Sequence, residues 1–409
     1  MIKRIVALTG VSYFPIALIA RLPFAMMVVG VLTLVVATSG SLLLGGVNSA
    51  LVGAGTAIFG PLIGAAADRF GQRPVLLLVG SLNALFLLAF VFIVWSSLPI
   101  WVMLSTAFLI GASAPQVSAM SRSRMVGVAT EGFEPQDRDR VLGSVMAYES
   151  TVDETVFVFG PFIVGLIAIL FGSSAPVVAA AILTIVFVSL FALHRSAKPA
   201  ISSTDRAATL APVSELFKLE LLVTIAGIFG IGLFFGSMLT SLTAFMQELG
   251  DPEQTGILYG VMGVGSAALA LAVAFFPPAF TKRWRWLLFA LLMLIGAFML
   301  QNVSSKSGMM FALAIIGLGI GPILVTQYSF GADRSPIGRN ATVMTTMGSA
   351  IIVGQSLSSA LAGWLSEDFG VKAALLMPLS AVLVVLITGI LNFFLTPSGR
   401  QLSRFKSTI

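Results

Sequence analysis

The sequence predicts an all-α membrane protein with twelve transmembrane helices arranged as two six-helix bundles. Three observations predict it. The chain is too apolar to be soluble, its apolar residues fall in windows long enough to cross a bilayer, and its basic residues cluster on one side of those windows. Of 409 residues, 57% are hydrophobic and 10% are charged, against about 25% charged in a typical soluble domain. Too few polar groups remain to cover a water-facing exterior. The same apolar excess excludes disorder. Alternation with a period of two is missing from short segments, which argues against a membrane β-barrel.

A membrane-spanning helix needs about 20 apolar residues. The first window, 15–38, follows a short interfacial lead-in and is interrupted by Pro15 and Arg21. No small-residue cleavage site follows it before the second window, so a cleaved signal peptide is not expected. The second, 46–67, is dense in small residues (Ser49, Gly53, Gly55, Gly60, Gly64), whose spacing of about four lets backbones approach closely. The third, 75–95, ends at Trp95, and the fourth, 98–120, opens at Trp101 and closes before Arg122 and Arg124. The fifth, 141–171, carries Glu149, Asp153 and Glu154; the sixth is 175–194. The second set is 219–247, 254–277, 286–303, 307–331, 341–366 and 370–396. Small residues recur in 254–277 as Gly256, Gly260, Gly263 and Gly265.

Basic residues fix the orientation. Of 23 Lys and Arg, all but Lys306 and Lys372 fall on one side when both termini are placed there. The positive-inside rule makes that side cytoplasmic, so a multi-pass protein of the cytoplasmic membrane is expected. Trp95, Trp101, Trp284, Trp286 and Trp364 all fall near predicted helix ends, where indole favours the interface. The net charge of +6 is thereby accounted for by topology, and no basic soluble module suggests a nucleic-acid partner. The longest hydrophilic connection contains Lys198, Pro199, Ser202, Ser203, Asp205 and Arg206. It divides the chain into a bundle at 1–197, a cytoplasmic linker at 198–217 and a bundle at 218–409. Placing Ser144 on Thr342 aligns Val145 with Val343, Met146 with Met344 and Gly165 with Gly363, a weak internal repeat. A monomer is expected.

Composition also limits the chemistry. Cysteine is absent, so disulfides, thiolate nucleophiles and thiolate metal sites are excluded. The one histidine, His194, leaves little room for a zinc site or a Ser-His-Asp triad. No cofactor, metal or catalytic residue is expected, and paired acids would be the only candidates for a membrane-embedded enzyme.

The segment Gly60-Pro61-Leu62-Ile63-Gly64-Ala65-Ala66-Ala67-Asp68-Arg69-Phe70-Gly71-Gln72-Arg73-Pro74 joins the second and third windows. It resembles the signature of the major facilitator superfamily, Gly-x-Leu-Ala-Asp-Arg-x-Gly-Arg-Lys. Gly64, Ala67, Asp68, Arg69, Gly71 and Arg73 match; Ala66 replaces Leu and Gln72 replaces Arg. The resemblance implies the two-bundle major facilitator fold and a secondary transporter for a small molecule. It also implies a cytoplasmic gate in which Asp68 meets the N-terminal end of the eleventh helix, near Asn340. A carboxylate is stabilised at such an end by about 0.3–2 kcal/mol. After the eighth helix only Lys282, Arg283 and Arg285 remain, with no acid, so one strong latch is expected, in the first half.

The fifth window holds the most costly residues. At 1.5 Å per residue from Val141, Glu149 lies about 12 Å into the bilayer and Asp153 and Glu154 about 18–20 Å. An ionised acid there costs about 2.5–3.5 kcal/mol. Such residues must face a polar cavity, pair with a base or carry a proton. Glu149 and Asp153 share one helix face, and two adjacent carboxylates resist double ionisation. That is what a proton carrier near neutral pH requires. Arg21 is the only base clearly within a window and is the candidate partner of Glu149 or Asp153; the alternative is a snorkelling side chain. The acids could instead bond neighbouring helices or bind a cationic substrate.

Downstream, Gly160, Pro161 and Gly165 interrupt the helix. They partly resemble the antiporter motif Gly-x-x-x-Gly-Pro-x-x-Gly-Gly of the superfamily, with Val156 and Val164 in place of two glycines. The resemblance implies a kink at Gly160-Pro161 and export by proton exchange. Drug antiporters usually carry an Arg within the fourth helix, whereas Arg122 and Arg124 here fall at its end. It also places cargo between the halves, where Gln116, Phe234, Phe235, Thr240, Gln327 and Tyr328 are candidate lining residues for an amphiphilic molecule. The expectation is a proton-coupled exporter whose partners are the lipid bilayer, its cargo and protons. A metabolite or sugar transporter of either direction, a lipid flippase and a transport-fold sensor are the alternatives. A sensor would carry a soluble signalling extension.

Overall fold

A computed structural model describes residues 2–197, 210–250, 255–277 and 279–396. The described residues form a bundle of long helices. In chain order these are α1 (Ile2–Thr9), α2 (Tyr13–Ile19), α3 (Leu22–Ser39), α4 (Leu42–Phe70), α5 (Gln72–Val94), α6 (Ile100–Ala112), α7 (Val117–Glu131), α8 (Pro135–Phe171), α9 (Ala175–Leu183) and α10 (Ser189–Leu193). A π-helical turn, Thr184–Val188, joins the last two. The second half holds α11 (Leu219–Glu248), α12 (Thr255–Ala272), α13 (Lys282–Leu300), α14 (Lys306–Asp333), α15 (Asn340–Phe369), α16 (Val371–Ala374) and α17 (Leu376–Leu395).

Two of the expected spans are broken, and proline accounts for both. Pro23 lies in the first turn of α3, where its missing N–H costs nothing and its fixed φ starts a helix. The chain therefore ends α2 at Ile19 and restarts at Leu22, leaving Arg21 at the junction. Pro115 lies between α6 and α7. It restricts the residue before it and cannot donate into a continuous ladder. Polar caps close other ends. Ser41 accepts from the Leu44 N–H at 3.1 Å, and Ser305 from the Gly308 N–H at 3.2 Å.

Ten segments are long and apolar enough to cross a membrane among the described residues. The twelve expected from the sequence are therefore not reached by this measure. Outside the ten stand α8, 37 residues long with five acids, and α15, 30 residues long and rich in Ser and Thr. The fourth span also differs from expectation, running from Ile100 to Glu131 rather than stopping at 120. Its polar run Ser121-Arg122-Ser123-Arg124 resembles the end of a hydropathy window, yet both arginines are buried and paired. They belong inside the helix, which corrects their assignment to its end.

Side chains such as Ile169 (84% exposed) and Phe275 (86% exposed) face outward, as a lipid-facing surface requires. Trp95, Trp101, Trp284 and Trp364 are exposed near helix ends, but Trp286 is fully buried. Its Nε1 donates to the Val385 carbonyl at 3.1 Å, so its expected interfacial position is corrected. One apolar core runs through the second half and into the first through Tyr13, Met120, Met146 and Phe191. A separate core built on Met26, Leu34, Leu87 and Phe90 fills the far end of the first half. The halves thus share packing at the end that carries the connection between them. Of that connection, 198–209 lies outside the described residues. Its remainder is tied to the second half by Arg339, which donates to the Ala211 carbonyl at 2.6 Å.

Candidate functional site

The break between α2 and α3 and the break between α6 and α7 set two arginines against α8. Arg21 pairs with Glu149, and its Nη1 lies 3.3 Å from Asp153 Oδ1. Arg122 Nη1 lies 2.7 Å from Asp153 Oδ2. Hydroxyls of α7 complete the ring. Ser118 donates to Asp153 Oδ1 at 2.8 Å, and Ser121 donates to Glu149 Oε1 at 2.8 Å. Ser121 in turn shares a 2.6 Å hydrogen bond with the Tyr13 hydroxyl. Glu149 and Asp153 meet these partners together because residues four apart share one helix face.

Among the described residues the cluster holds two guanidiniums and two carboxylates, which balance in charge. Balance offsets the desolvation cost of burying ions without making the cluster a strong source of stability. Its members are unequally reachable: Glu149 is 0% exposed and Asp153 is 15% exposed. Arg21 Nε and Nη1 and Arg122 Nε are buried with no hydrogen-bond acceptor. The other half touches the cluster through Tyr328 of α14, whose ring centre lies 3.7 Å from the Arg122 guanidinium carbon. A desolvated cation–π contact of this kind is worth about 2 kcal/mol. Glu154 was expected in the same cluster, but its side chain lies outside the described residues.

A second site closes the linker end. Asp68, in the last turn of α4, accepts from the Ala341 N–H at 3.0 Å, the Thr342 N–H at 2.7 Å and the Thr342 hydroxyl at 2.7 Å. It therefore caps α15, whose first N–H groups have no partner within the helix. Gly64, one turn earlier, brings the two backbones together; a Cβ there would collide with Thr345 Oγ1 and approach the Ala341 carbonyl to 2.7 Å. Gly71 follows at φ +88°, a conformation that favours glycine, and reverses the chain into α5. Arg69 stacks on Phe70, and Arg73 donates to the Leu193 carbonyl at 3.1 Å.

A weaker tie joins the halves nearby. Lys282 Nζ lies 2.7 Å from Asp333 Oδ2 and 3.2 Å from Asp139 Oδ1 on α8. Asp139 is 86% exposed, so the cross-half pair is screened by water and salt. The substitution Asp139→Ala is expected to change stability by less than about 1 kcal/mol. Thermal unfolding at low and high salt checks this, and the small difference should vanish at high salt.

The expected cargo-lining residues lie on α11 and α14 and at the break before α7. Phe234 is fully buried and packs on Phe235, with ring centres 6.3 Å apart. Thr240 bonds Ser359 at 2.7 Å within the second half. Gln327 is buried beside Trp286 and Gly227, with both amide atoms unpartnered. Gln116 bonds the Ala114 carbonyl at the break before α7. Only Tyr328 joins the charged cluster. A crevice of about 390 Å³ opens between α4, α11 and α15, lined by Ala57, Pro61, Ile225, Phe229, Ser349 and Val353 among others. At the expected kink, α8 is continuous through Gly160 and Pro161 to Phe171, and Gly160 lies against Ala25 of α3.

Sequence reasoning missed Arg122, Ser118, Ser121 and Tyr13. The two serines and the arginine recur on one strip of α7, at spacings of three or four that a helical reading could have linked to Asp153. His194 lies outside the spans and bonds Ser12 and Ser196. Burial, then Arg124 and Arg195, hold its imidazole below the usual histidine range, so it is neutral at neutral pH.

A sequence profile described as "Major Facilitator Superfamily" matches residues 13–350. No curated protein matches the chain. Among solved structures, the human organic anion transporter MFSD10 is similar over 95% of this chain and 99% of its own, at 17% identity and TM-score 0.69. A bacterial homologue of the iron transporter ferroportin, in its outward-facing state, is similar over 93% and 98%, at 12% identity and TM-score 0.72. The fucose:proton symporter of E. coli is similar over 95% and 100%, at 13% identity and TM-score 0.66. At these identities the likeness is one of fold.

Proposed function

The chain belongs to the major facilitator superfamily, and from that premise we propose that it is a proton-linked secondary transporter for a small, amphiphilic molecule. The observation that carries this reading is the buried Arg21–Glu149–Asp153–Arg122 cluster, which is contacted from the other half by Tyr328. A group that gains or loses a proton at such a junction changes the contact between halves as well as its own charge.

In this reading α8 and α15 cross the membrane with the ten apolar spans, giving twelve. Both termini lie on the cytoplasmic side of the cell membrane, where basic residues concentrate. Asp68 and the N-terminus of α15 form the cytoplasmic gate, and cargo reaches one face at a time as the two bundles rock. The chain works as a monomer and without a cofactor, protons being the coupling ion. Solved relatives of the same fold include a proton symporter and an organic anion transporter. The exchange mode that would drive export rests on the Gly160-Pro161 segment alone, and the sign of proton movement decides it.

The test is reconstitution of the full chain in proteoliposomes carrying a pH-sensitive dye, with a panel of amphiphilic cargoes. Cargo-dependent proton movement is expected in the parent protein and is expected to be lost in Asp153→Asn, which cannot exchange a proton. Unchanged proton movement in that variant would remove Asp153 from the carrier role. Flux without proton movement for every cargo would refute the coupling.

A further inference from the structure

We propose that the cargo carries a carboxylate or similar anionic group, which binds Arg122 in place of Asp153 when Asp153 takes up a proton. The inference rests on the transporter reading above and names the substrate class of its site.

Four observations converge. First, α7 is fifteen residues long and begins inside the bundle, at the break after Pro115. Its N-terminal end carries partial positive charge and unsatisfied N–H groups, the features by which discontinuous membrane helices hold anions. Second, a carboxylate already occupies that end: Asp153 takes Ser118 of the first turn together with both arginines. The site is thus built to accept a carboxylate. Third, it is not saturated, because Arg21 Nε and Arg122 Nε are buried and lack acceptors. Arg21 is 2% exposed and Arg122 is 4% exposed, and Arg21 Nη1 faces the Asp153 carboxylate. Buried guanidinium N–H groups without acceptors are costly, and an incoming anion relieves that cost. Fourth, Asp153 is the partly exposed acid of the pair, so it is the one that solvent and cargo reach.

Charge balance selects the sign of the cargo. Among the described residues, two guanidiniums and two carboxylates sum to zero. A proton added at Asp153 Oδ2 neutralises that carboxyl and releases Arg122 Nη1, leaving one surplus positive charge. A monoanionic cargo restores zero; a cationic cargo adds to the surplus. Proton and anion therefore bind together, which favours movement in one direction for both over exchange. Among the described side chains, the groups facing Asp153 are Arg21 from the α2–α3 junction, Arg122 and Ser118 from α7, and Glu149 and Tyr148 from its own helix. Tyr328 stands behind Arg122 from α14. Glu149 keeps Arg21 occupied and supplies no competing proton site open to solvent.

The experiment measures thermal unfolding of the full-length protein in detergent with benzoate and octanoate, their amides, and the matching amines. Measurements are made at mildly acidic and at neutral pH. Ligands that bind the folded state raise the midpoint. Carboxylates are expected to stabilise, more strongly at acidic pH, while amides and amines do not. Asp153→Asn mimics the protonated acid. It is expected to bind carboxylates roughly tenfold more tightly at neutral pH and to lose the pH dependence, since every molecule is then competent. A merely structural Asp153 would give no such gain. Arg122→Gln is expected to abolish the response and Arg122→Lys to retain part of it. If neither arginine variant folds, the contrast between carboxylate and amide in the parent protein decides alone. Equal responses to amides, a preference for amines, no response to any carboxylate, or an Asp153→Asn variant with parental affinity would each overturn the proposal. In proteoliposomes, proton movement driven only by amines or amides would overturn the anion assignment and leave proton-linked transport standing. Carboxylate binding without proton movement would do the reverse.

Discussion

Arg21→Gln is expected to destabilise the protein by about 3–5 kcal/mol, the usual cost of removing one partner from a buried ion pair. Glu149 is 0% exposed, and without Arg21 its carboxylate would retain only the Ser121 hydroxyl among its present hydrogen-bond donors. The loss arises from the stranded charge and not from the value of the pair itself. The double variant Arg21→Gln with Glu149→Gln removes both charges and is expected to recover most of the stability. Thermal unfolding of the parent, both single variants and the double variant forms a complete cycle. A single variant within about 1 kcal/mol of the parent would show that Glu149 finds another way to be neutral. Such a result would move Glu149 from a structural role towards the carrier role that is here given to Asp153.

Gly64→Val is expected to give the largest loss of transport. Its side chain would occupy the space of Thr345 Oγ1 and press on the Ala341 carbonyl and Thr342 Cα. Overpacking of this kind costs about 1–3 kcal/mol, a shift of roughly 5- to 150-fold in the balance between closed and open arrangements. The damage reaches Asp68, one turn along the same helix face, because α4 can accommodate the new methyls only by drawing back from α15. The chain has no cysteine, so one introduced thiol reports the movement without background. Ala341→Cys, buried under the latch in the present arrangement, should react faster with a hydrophilic maleimide when Gly64→Val is also present. Gly348→Ala, on α15 with open space around it, is the control and should change neither labelling nor transport. Equal labelling in both backgrounds would dissociate Gly64 from the gate.

Much of this architecture was legible because hydropathy is summed over some twenty residues, so single errors average out. The same averaging still located α8 and α15, as the windows 141–171 and 341–366, despite the acids, serines and threonines that lower their sums. It also ended the fourth span early at Ser121-Arg122-Ser123-Arg124, since a windowed sum cannot see that Arg122 has Asp153 beside it and Arg124 has Gln72. Arg21, Glu149 and Asp153 were nameable from depth alone, because charges at mid-bilayer have few permissible surroundings. Which arginine meets which acid depends on the turns at Pro23 and Pro115, and those angles are not written in composition. Trp286 was misplaced for a related reason: an indole near a helix end satisfies the interface rule whether it faces lipid or, as here, the Val385 carbonyl.

The cap that Asp68 places on α15 has a thermodynamic corollary. Opening that end would wet one carboxylate, two amides and a hydroxyl at once, and water would re-solvate each of them. The net worth of an intramolecular hydrogen bond is only about 0.5–1.5 kcal/mol after such exchange. The fastening therefore behaves as a snap more than a bolt: directional enough to define one arrangement, yet cheap to undo and remake in every working cycle.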